Sequence, residues 1–156
     1  MLENVRSMYN VGSVFRTSDA FLISEVILGG ITGRPPHVEI TKTALGAEES
    51  VSWHYVEDSL KEVERYKGEG WKICVLEQAH DSIKLEEFEP VKGEKYLVIA
   101  GNEVDGVDQR IVDRGDYILE IGQYGVKHSL NVSVSVGICL WHIMEKMKKW
   151  DKDSIK

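Results

Sequence analysis

The sequence predicts a single α/β domain built on a mainly parallel sheet with helices on both of its faces. Apolar, strand-like runs alternate with helical patterns along the chain, and this alternation is typical of a parallel sheet. The run 96–100 is continuously apolar, as expected of a strand that is covered on both faces. The 156 residues, 42% of them hydrophobic, are enough for one sizeable core, and we find no repeat or linker.

In the first half of the chain, the pattern predicts a helix, a strand, a short helical segment and a second strand. Asn10 is expected to cap the first helix. The apolar positions of this helix are Val11, Val14, Phe15, Phe21 and Leu22. A strand over 25–28 runs into the glycine-rich stretch 29–33, and a helical segment over 41–49 leads to a strand over 53–56.

The second half continues the alternation. In order, we expect a helix that is capped by Asp58 or Ser59 and ends at Gly68, strands over 71–76 and 96–100, a short helix over 107–113, a strand over 117–121 and a long helix over 129–149. Glycine-rich loops over 101–106 and 122–125 follow the ends of two of these strands. Ligands bind at the carboxyl edge of such sheets, so these loops are either structural turns or part of a ligand cradle.

Charge and composition exclude several classes of protein. The 26 acidic residues outnumber the 19 lysines and arginines, which excludes a uniformly basic nucleic-acid coat but leaves room for a local basic patch. Acidic residues are concentrated over 57–94, so we expect any anionic ligand to dock near residues 1–43 instead. No apolar run is long enough to span a membrane.

The cysteines and histidines show no pattern of a metal site. Cys74 and Cys139 lie in apolar runs, which predicts buried, reduced thiols and a cytoplasmic protein. There is no CxxC or HExxH spacing, so no metal site is predicted. The stretch 29–33 superficially resembles a dinucleotide loop, but Pro35 and Pro36 follow it and leave no helix N-terminus for a pyrophosphate.

Polar residues at the start of the last helix have two readings. Ser129 and Asn131 are either helix caps or ligand-binding groups. Four segments then match the motifs of one family in the right order: 4–21, 42–48, 97–107 and 121–134. Together they resemble the SpoU/TrmH RNA 2′-O-ribose methyltransferases of the SPOUT superfamily.

The resemblance implies a fold and partners that the residue pattern alone does not. It implies a deep trefoil knot in the C-terminal region, an S-adenosylmethionine pocket formed by the two later motifs, and a homodimer whose active site is completed across the interface. Residues 1–156 are then expected to form a single catalytic domain without an appended RNA-binding domain.

Site residues carry over from the resemblance position by position. The catalytic and active-site polar residues implied are Arg16, Asn10, Glu103, Ser129 and Asn131. The cofactor contacts implied are Gly101, Ile121, Leu130, Leu76 and Gln123. The phosphate contacts expected near the pocket are Arg6, Arg34, Lys42 and Lys127. Gly122 stands where the family usually has proline, which loosens the cofactor loop.

The expected reaction is methyl transfer from S-adenosylmethionine to a ribose 2′-hydroxyl, with transfer RNA as the first candidate substrate and ribosomal RNA as the second. Because a guanidinium only donates hydrogen bonds, we prefer Arg16 as a phosphate clamp that also stabilises alkoxide charge, and the alternative is a proton acceptor. The competing interpretation is a non-catalytic cofactor-binding dimer, or a subunit that needs a partner for RNA binding.

Overall fold

The computed structural model describes residues 1–127 and 129–147, and a parallel sheet of seven strands lies at the centre of this part of the chain. The strands are β1 (Leu2–Glu3), β2 (Val26–Gly29), β3 (Trp53–Val56), β4 (Lys72–Leu76), β5 (Ile83–Lys84), β6 (Tyr96–Ala100) and β7 (Tyr117–Glu120). Their spatial order is β3-β2-β1-β6-β4-β7-β5. Every strand pairing is parallel, as in the register Leu76↔Ala100 between β4 and β6. The predicted α/β class is therefore confirmed.

Six α-helices lie in the described part of the chain; five precede the last strand and one follows it. They are α1 (Met8–Ala20), α2 (Val38–Ala44), α3 (Ala47–Ser50), α4 (Ser59–Gly68), α5 (Gln109–Val112) and α6 (Val132–Met147). The predicted segment 41–49 is two helices, because Leu45 and Gly46 both take positive φ angles and break the helical path. The predicted end of the last helix, at Lys149, lies outside the described residues.

The first helix begins earlier than predicted. Ser7 is its N-cap, and the Ser7 hydroxyl accepts a hydrogen bond from the backbone N–H of Asn10 at 3.3 Å. The prediction that Asn10 caps this helix is therefore wrong, and the side chain of Asn10 is free for another role. Leu22 was predicted as one of the apolar positions of this helix, but it lies beyond the last turn and is exposed.

Two short strands were not predicted from the sequence. β1 and β5 are two residues long each, and a pair of residues shows no period from which a strand could be predicted. β1 nevertheless lies inside the sheet, where it pairs with both β2 and β6. The longer strands were easier to predict, and β3 and β6 have the predicted bounds.

The core divides between the two faces of the sheet because side chains alternate along each strand. Leu28 packs with Val14 and Phe15 of α1, whereas its neighbour Ile27 packs with Val63 of α4 on the opposite face. A third cluster joins the far end of the sheet to α6, and Cys139 lies in it. Cys74 and Cys139 are both fully buried and unpaired, as predicted, and burial raises the pKa of the Cys139 thiol to about 12.

A glycine sets how closely α1 approaches α2. A Cβ atom on Gly12 would lie 2.1 Å from Thr43 Oγ1 and 2.3 Å from the Ile40 carbonyl oxygen. No side chain fits in that space, so the two helices cross with their backbones nearly in contact. The Thr43 hydroxyl strengthens the crossing by donating to the Tyr9 carbonyl at 2.9 Å. This crossing places the start of α1 beside the carboxyl edge of the sheet.

Candidate functional site

A cavity of about 430 Å³ opens at the carboxyl ends of β4, β6 and β7. Its size is within the range of small-molecule sites in proteins. Residues from three segments of the chain form its walls. These segments are 76–78 at the end of β4, most of 100–106 at the end of β6, and parts of 119–135, which runs from β7 to the start of α6. The two glycine-rich loops, for which the sequence allowed either structural turns or a ligand cradle, therefore meet at one site.

The loop after β6 is tightly built. A Cβ on Gly101 would lie 2.4 Å from the backbone of Gly106, so the loop closes on itself there. The backbones of Asn102 and Gly106 exchange two hydrogen bonds, at 2.9 and 3.0 Å. The Asn102 side chain accepts from the next turn through its oxygen and donates to the Asn4 carbonyl at 2.8 Å. The cavity wall is therefore held in place before any ligand arrives.

Glu103 ties this loop to the start of α1. One carboxylate oxygen accepts from the Arg6 backbone N–H, and the other accepts from the Ser7 backbone N–H, both at 3.0 Å. Partial burial raises the pKa of Glu103, but these backbone hydrogen bonds outweigh it and hold the pKa below its ordinary value. The carboxylate is thus ionised at neutral pH and faces the positive end of a helix dipole.

Asn10 connects Glu103 to the start of α6. Its amide nitrogen donates to Glu103 Oε1 at 3.3 Å, and its amide oxygen accepts from Asn131 Nδ2 at 3.1 Å. The oxygen of Asn131 accepts from the backbone N–H of Ser133 at 2.9 Å. Asn131 therefore has both of the roles left open by the sequence, because one end of its amide caps α6 and the other joins the network.

All five residues expected to contact the cofactor line the cavity: Leu76, Gly101, Ile121, Gln123 and Leu130. Three of the five expected active-site polar residues line it as well: Glu103, Ser129 and Asn131. Asn10 reaches the rim through the hydrogen bonds just described. The structure thus brings nine of these ten residues to one place.

Arg16 is the exception. It is exposed on α1 and is not among the residues that line the cavity. Its neighbour Thr17 approaches α6 near Gly137, where a Cβ on the glycine would lie 3.8 Å from Thr17 Cγ2. Within the described residues, no hydrogen bond or ion pair holds the Arg16 side chain.

The four expected phosphate contacts are all exposed, and two of them have partners. The Arg6 side chain lies 3.9 Å from Asp105, and the Arg34 guanidinium lies 4.0 Å from the centre of the Tyr55 ring. The stacking of Arg34 on Tyr55 fixes its position. Lys42 and Lys127 have no ion pair in the part of the chain that the structure describes.

Two residues that shape the site were not predicted from the sequence. Glu77, directly after β4, lines the cavity and accepts from the backbone N–H of Val107 at 3.0 Å. Asn4 takes a positive φ of 54° after β1, and its side chain accepts from the Ile31 backbone N–H at 3.0 Å. An asparagine directly after a strand is a usable signal for such a turn, but β1 itself was too short to predict.

Residues 1–127 and 129–147 contain neither a metal-ion cluster nor a membrane-spanning helix. No group of three or more His, Cys, Asp and Glu residues there could hold a metal ion. No helix within those ranges combines the length and the apolar character that crossing a membrane requires.

The sequence matches the model of the SpoU rRNA Methylase family over residues 1–141. One relative, a tRNA (guanosine(18)-2′-O)-methyltransferase from Aquifex aeolicus, is 26% identical over 94% of this chain and 68% of its own length. Another, the 23S rRNA (guanosine(2553)-2′-O)-methyltransferase RlmP from Bacillus subtilis, is 28% identical over 92% of this chain and 56% of its own length. The chain therefore spans only part of each of these two relatives.

Solved structures share the fold. The TrmH/SpoU tRNA modifying enzyme of A. aeolicus superposes with a TM-score of 0.85 at 24% identity, covering 95% of this chain and 74% of that one. An AdoMet-bound rRNA methyltransferase from Sinorhizobium meliloti superposes with a TM-score of 0.86 at 23% identity, covering 92% of this chain and 54% of that one. At these identities the likeness establishes the architecture of the chain.

Proposed function

Because this chain belongs to the SpoU rRNA methylase family, we propose that it transfers a methyl group from S-adenosylmethionine to a ribose 2′-hydroxyl of RNA. The observation that carries the proposal is the hydrogen-bonded series Glu103–Asn10–Asn131 at the rim of the cavity. It places polar side chains from three distant segments beside a pocket of cofactor size. If the loops were only structural turns, nothing would require these three side chains to contact one another.

The cavity suits S-adenosylmethionine. Its walls include apolar side chains, such as Leu76, Ile121 and Leu130, and backbone at Gly101, where the chain packs too closely for any side chain. Those four residues and Gln123 would hold the cofactor. When bound, S-adenosylmethionine supplies a methyl group that is already activated on a sulfonium. The protein then needs mainly to orient the acceptor hydroxyl and to help its proton leave.

The rim residues fit this positioning role. Asn10 and Asn131 fix each other's amides, and Ser129 presents an exposed hydroxyl next to them on the cavity wall. Glu103 already accepts hydrogen bonds on both oxygens, so we assign it to holding α1 against the loop after β6. Arg16 is proposed to bind the phosphate beside the target ribose and to stabilise developing alkoxide charge.

A second copy of the chain is proposed to bring Arg16 to the site, since in its own subunit Arg16 does not line the cavity. An apolar stripe on α6 suits such a contact: Val134, Ile138 and Trp141 are between 37% and 55% exposed and recur at helical spacing. This stripe lies on the helix that α1 crosses near Thr17. A stripe of this kind is typical of an isologous dimer interface.

Transfer RNA is the proposed substrate, and ribosomal RNA is the second candidate. Relatives of both descriptions match over more than nine tenths of this chain. Arg6, Arg34, Lys42 and Lys127 are proposed to contact the phosphate backbone.

We propose that the chain acts as a single catalytic domain. We also propose the trefoil knot, supported by the position of β7 between β4 and β5, which precede it in the chain.

Tritium-labelled methyl transfer into total tRNA, rRNA and protein tests the proposal. We expect label in alkali-stable RNA dinucleotides, because a 2′-O-methyl group blocks hydrolysis of the adjacent phosphodiester. The matched control is Arg16→Ala, which should bind the cofactor but transfer no label. Cofactor binding by the wild-type protein without label in any RNA would contradict catalysis and favour a binding module that needs a partner.

A further inference from the structure

Two large hydrophobic side chains on the loop that follows β7 are almost fully exposed to solvent. Tyr124 is 94% exposed and Val126 is 92% exposed. The same loop contributes Ile121 and Gln123 to the cavity wall. A nearly fully exposed aromatic ring beside a functional cavity is suited to bind a partner molecule.

The ring of Tyr124 lies against Gly122. A Cβ atom on Gly122 would be 3.0 Å from Tyr124 Oη and 3.4 Å from Cζ. The first distance is tighter than ordinary van der Waals contact, so a side chain at position 122 would require the hydroxyl end of the ring to shift by a few tenths of an ångström. The glycine therefore favours the close approach of the ring to the backbone in this position.

The ring is on the outer side of the loop. Gln123 and Ile121 line the cavity, but Tyr124 does not. A molecule that stacked on Tyr124 would therefore lie outside the space assigned to the cofactor. Tyr124 is therefore placed to contact a macromolecular substrate and not the cofactor.

Two lysines lie near Tyr124, one in space and one in the chain. Lys84 is close enough for Tyr124 to contribute to the electrostatics of its ammonium group, although Glu120 pairs with that ammonium at 2.8 Å. Lys127 lies three residues after the tyrosine, is exposed, and has no ion pair within the described ranges. An aromatic face with an adjacent unpaired lysine matches the chemistry of single-stranded RNA, which offers a base to stack and a phosphate to pair.

We propose that Tyr124 stacks on an unpaired RNA base next to the nucleotide that enters the cavity, while Lys127 binds the neighbouring phosphate. This inference rests on the proposed function, since it assigns a substrate contact to the same site. Tyr124 acts as a positioning residue, because its ring lies outside the cavity in which the methyl group would be transferred.

Binding measurements on the full chain test the inference. The probes are total tRNA and a short fluorescent single-stranded RNA, with S-adenosylmethionine affinity measured in parallel by calorimetry. Tyr124→Ala should bind both RNAs roughly tenfold more weakly, with unchanged cofactor affinity. Tyr124→Phe keeps the ring and should bind as the wild type does. Val126→Ala is the matched control on the same loop and should also leave RNA binding unchanged.

A second variant tests the link to Gly122. Gly122→Pro should lower RNA affinity by less than Tyr124→Ala does, because the new side chain requires only a small shift of the ring. Equal RNA binding by Tyr124→Ala and the wild type, or binding of neither probe by the wild type, would overturn the inference. So would a parallel loss of cofactor affinity in Tyr124→Ala. A wild type that methylates RNA while Tyr124→Ala binds RNA normally would leave the proposed function standing and remove only this contact.

Discussion

Asn10 and Asn131 are hydrogen-bonded at 3.1 Å although 121 positions separate them in the chain. Asn10 also donates to Glu103 at 3.3 Å. One side chain thereby joins the first helix, the loop after β6 and the start of the last helix. The amide of Asn10 is the link between Glu103 and Asn131 in this network.

Replacing Asn10 tests that link. Asn10→Ala removes hydrogen bonds to a charged and a neutral partner, and we expect kcat/KM for RNA methylation to fall roughly ten- to hundredfold. Asn10→Asp should be at least as damaging, because it sets a carboxylate beside Glu103. Steady-state kinetics and S-adenosylmethionine calorimetry measure both effects. Unchanged kcat/KM in both variants would show that the network has only a structural role.

Mixing two inactive variants tests the shared active site. Arg16→Ala and Asn131→Ala should each be inactive alone, since each lacks one part of every site. If Arg16 comes from the partner copy, a mixed dimer contains one intact site. An equal mixture that has exchanged subunits should then recover about a quarter of wild-type activity by random pairing.

The outcome of the mixing experiment separates two arrangements. Arg16 acting within its own subunit predicts no recovery at any mixing ratio. Trp141→Glu provides the control, because a charge in the apolar stripe on α6 should prevent pairing and abolish the recovery. Sedimentation measurements on the same samples establish whether pairing was lost.

Two helical glycines should respond in opposite ways to the same substitution. Gly12→Ala should destabilise the fold by about 1–3 kcal/mol, because the new methyl group meets the Ile40 carbonyl oxygen at 2.3 Å. Gly137→Ala should stabilise it by about 0.5–1 kcal/mol, since its Cβ makes only ordinary contact with Thr17 and alanine favours a helix. Urea denaturation measures both. A similar effect at the two sites would contradict the close crossing of α1 and α2.

His54 makes stability depend on pH at a place remote from the cavity. Its Nδ1 lies 2.8 Å from Glu25, and its Nε2 lies 2.9 Å from Glu62. Tyr66 donates to Glu25, and Arg65 pairs with Glu62. Partial burial lowers the pKa of His54, but the hydrogen bonds to the two carboxylates outweigh it and raise the pKa above its ordinary value of 6.5.

A folded-state pKa above the unfolded value means that the stabilisation is complete below pH 6.5 and is lost as the pH rises through the folded value. The difference in free energy of unfolding between the wild type and His54→Gln should therefore be larger at about pH 6 than at about pH 9. Urea denaturation at the two pH values measures it. A difference that grows with pH would reverse the assigned sign.

Local pattern was sufficient for much of this fold. Trp53–Val56 and Tyr96–Ala100 form strands with the predicted bounds. Both are rich in aromatic and β-branched residues, which favour a strand, and the continuous apolar run 96–100 suits a strand covered on both faces. The predicted cap Asp58 also begins its helix, and its side chain accepts from the Lys61 backbone N–H. Where the cause lies within a few neighbouring residues, the sequence is enough.

Other features depended on contacts between distant segments. Ser7 replaced Asn10 as a cap because Glu103, far away in the chain, binds the backbone at the start of α1. β1 became a strand because β2 and β6 supply partners on both sides, not because two residues prefer that conformation.

The sequence by itself thus determined the alternation of strands and helices, the burial of the cysteines and the residue types available for a site. Only the tertiary structure decided which of those residues meet: Glu103, Asn10 and Asn131 converge, while Arg16 stays outside the cavity of its own chain. The physical reason is that hydrogen bonds and close packing act over a few ångströms in space. A helix or a strand of several residues follows from its neighbours in the chain, whereas a two-residue strand such as β1, like the site itself, depends on which distant segments the sheet brings together.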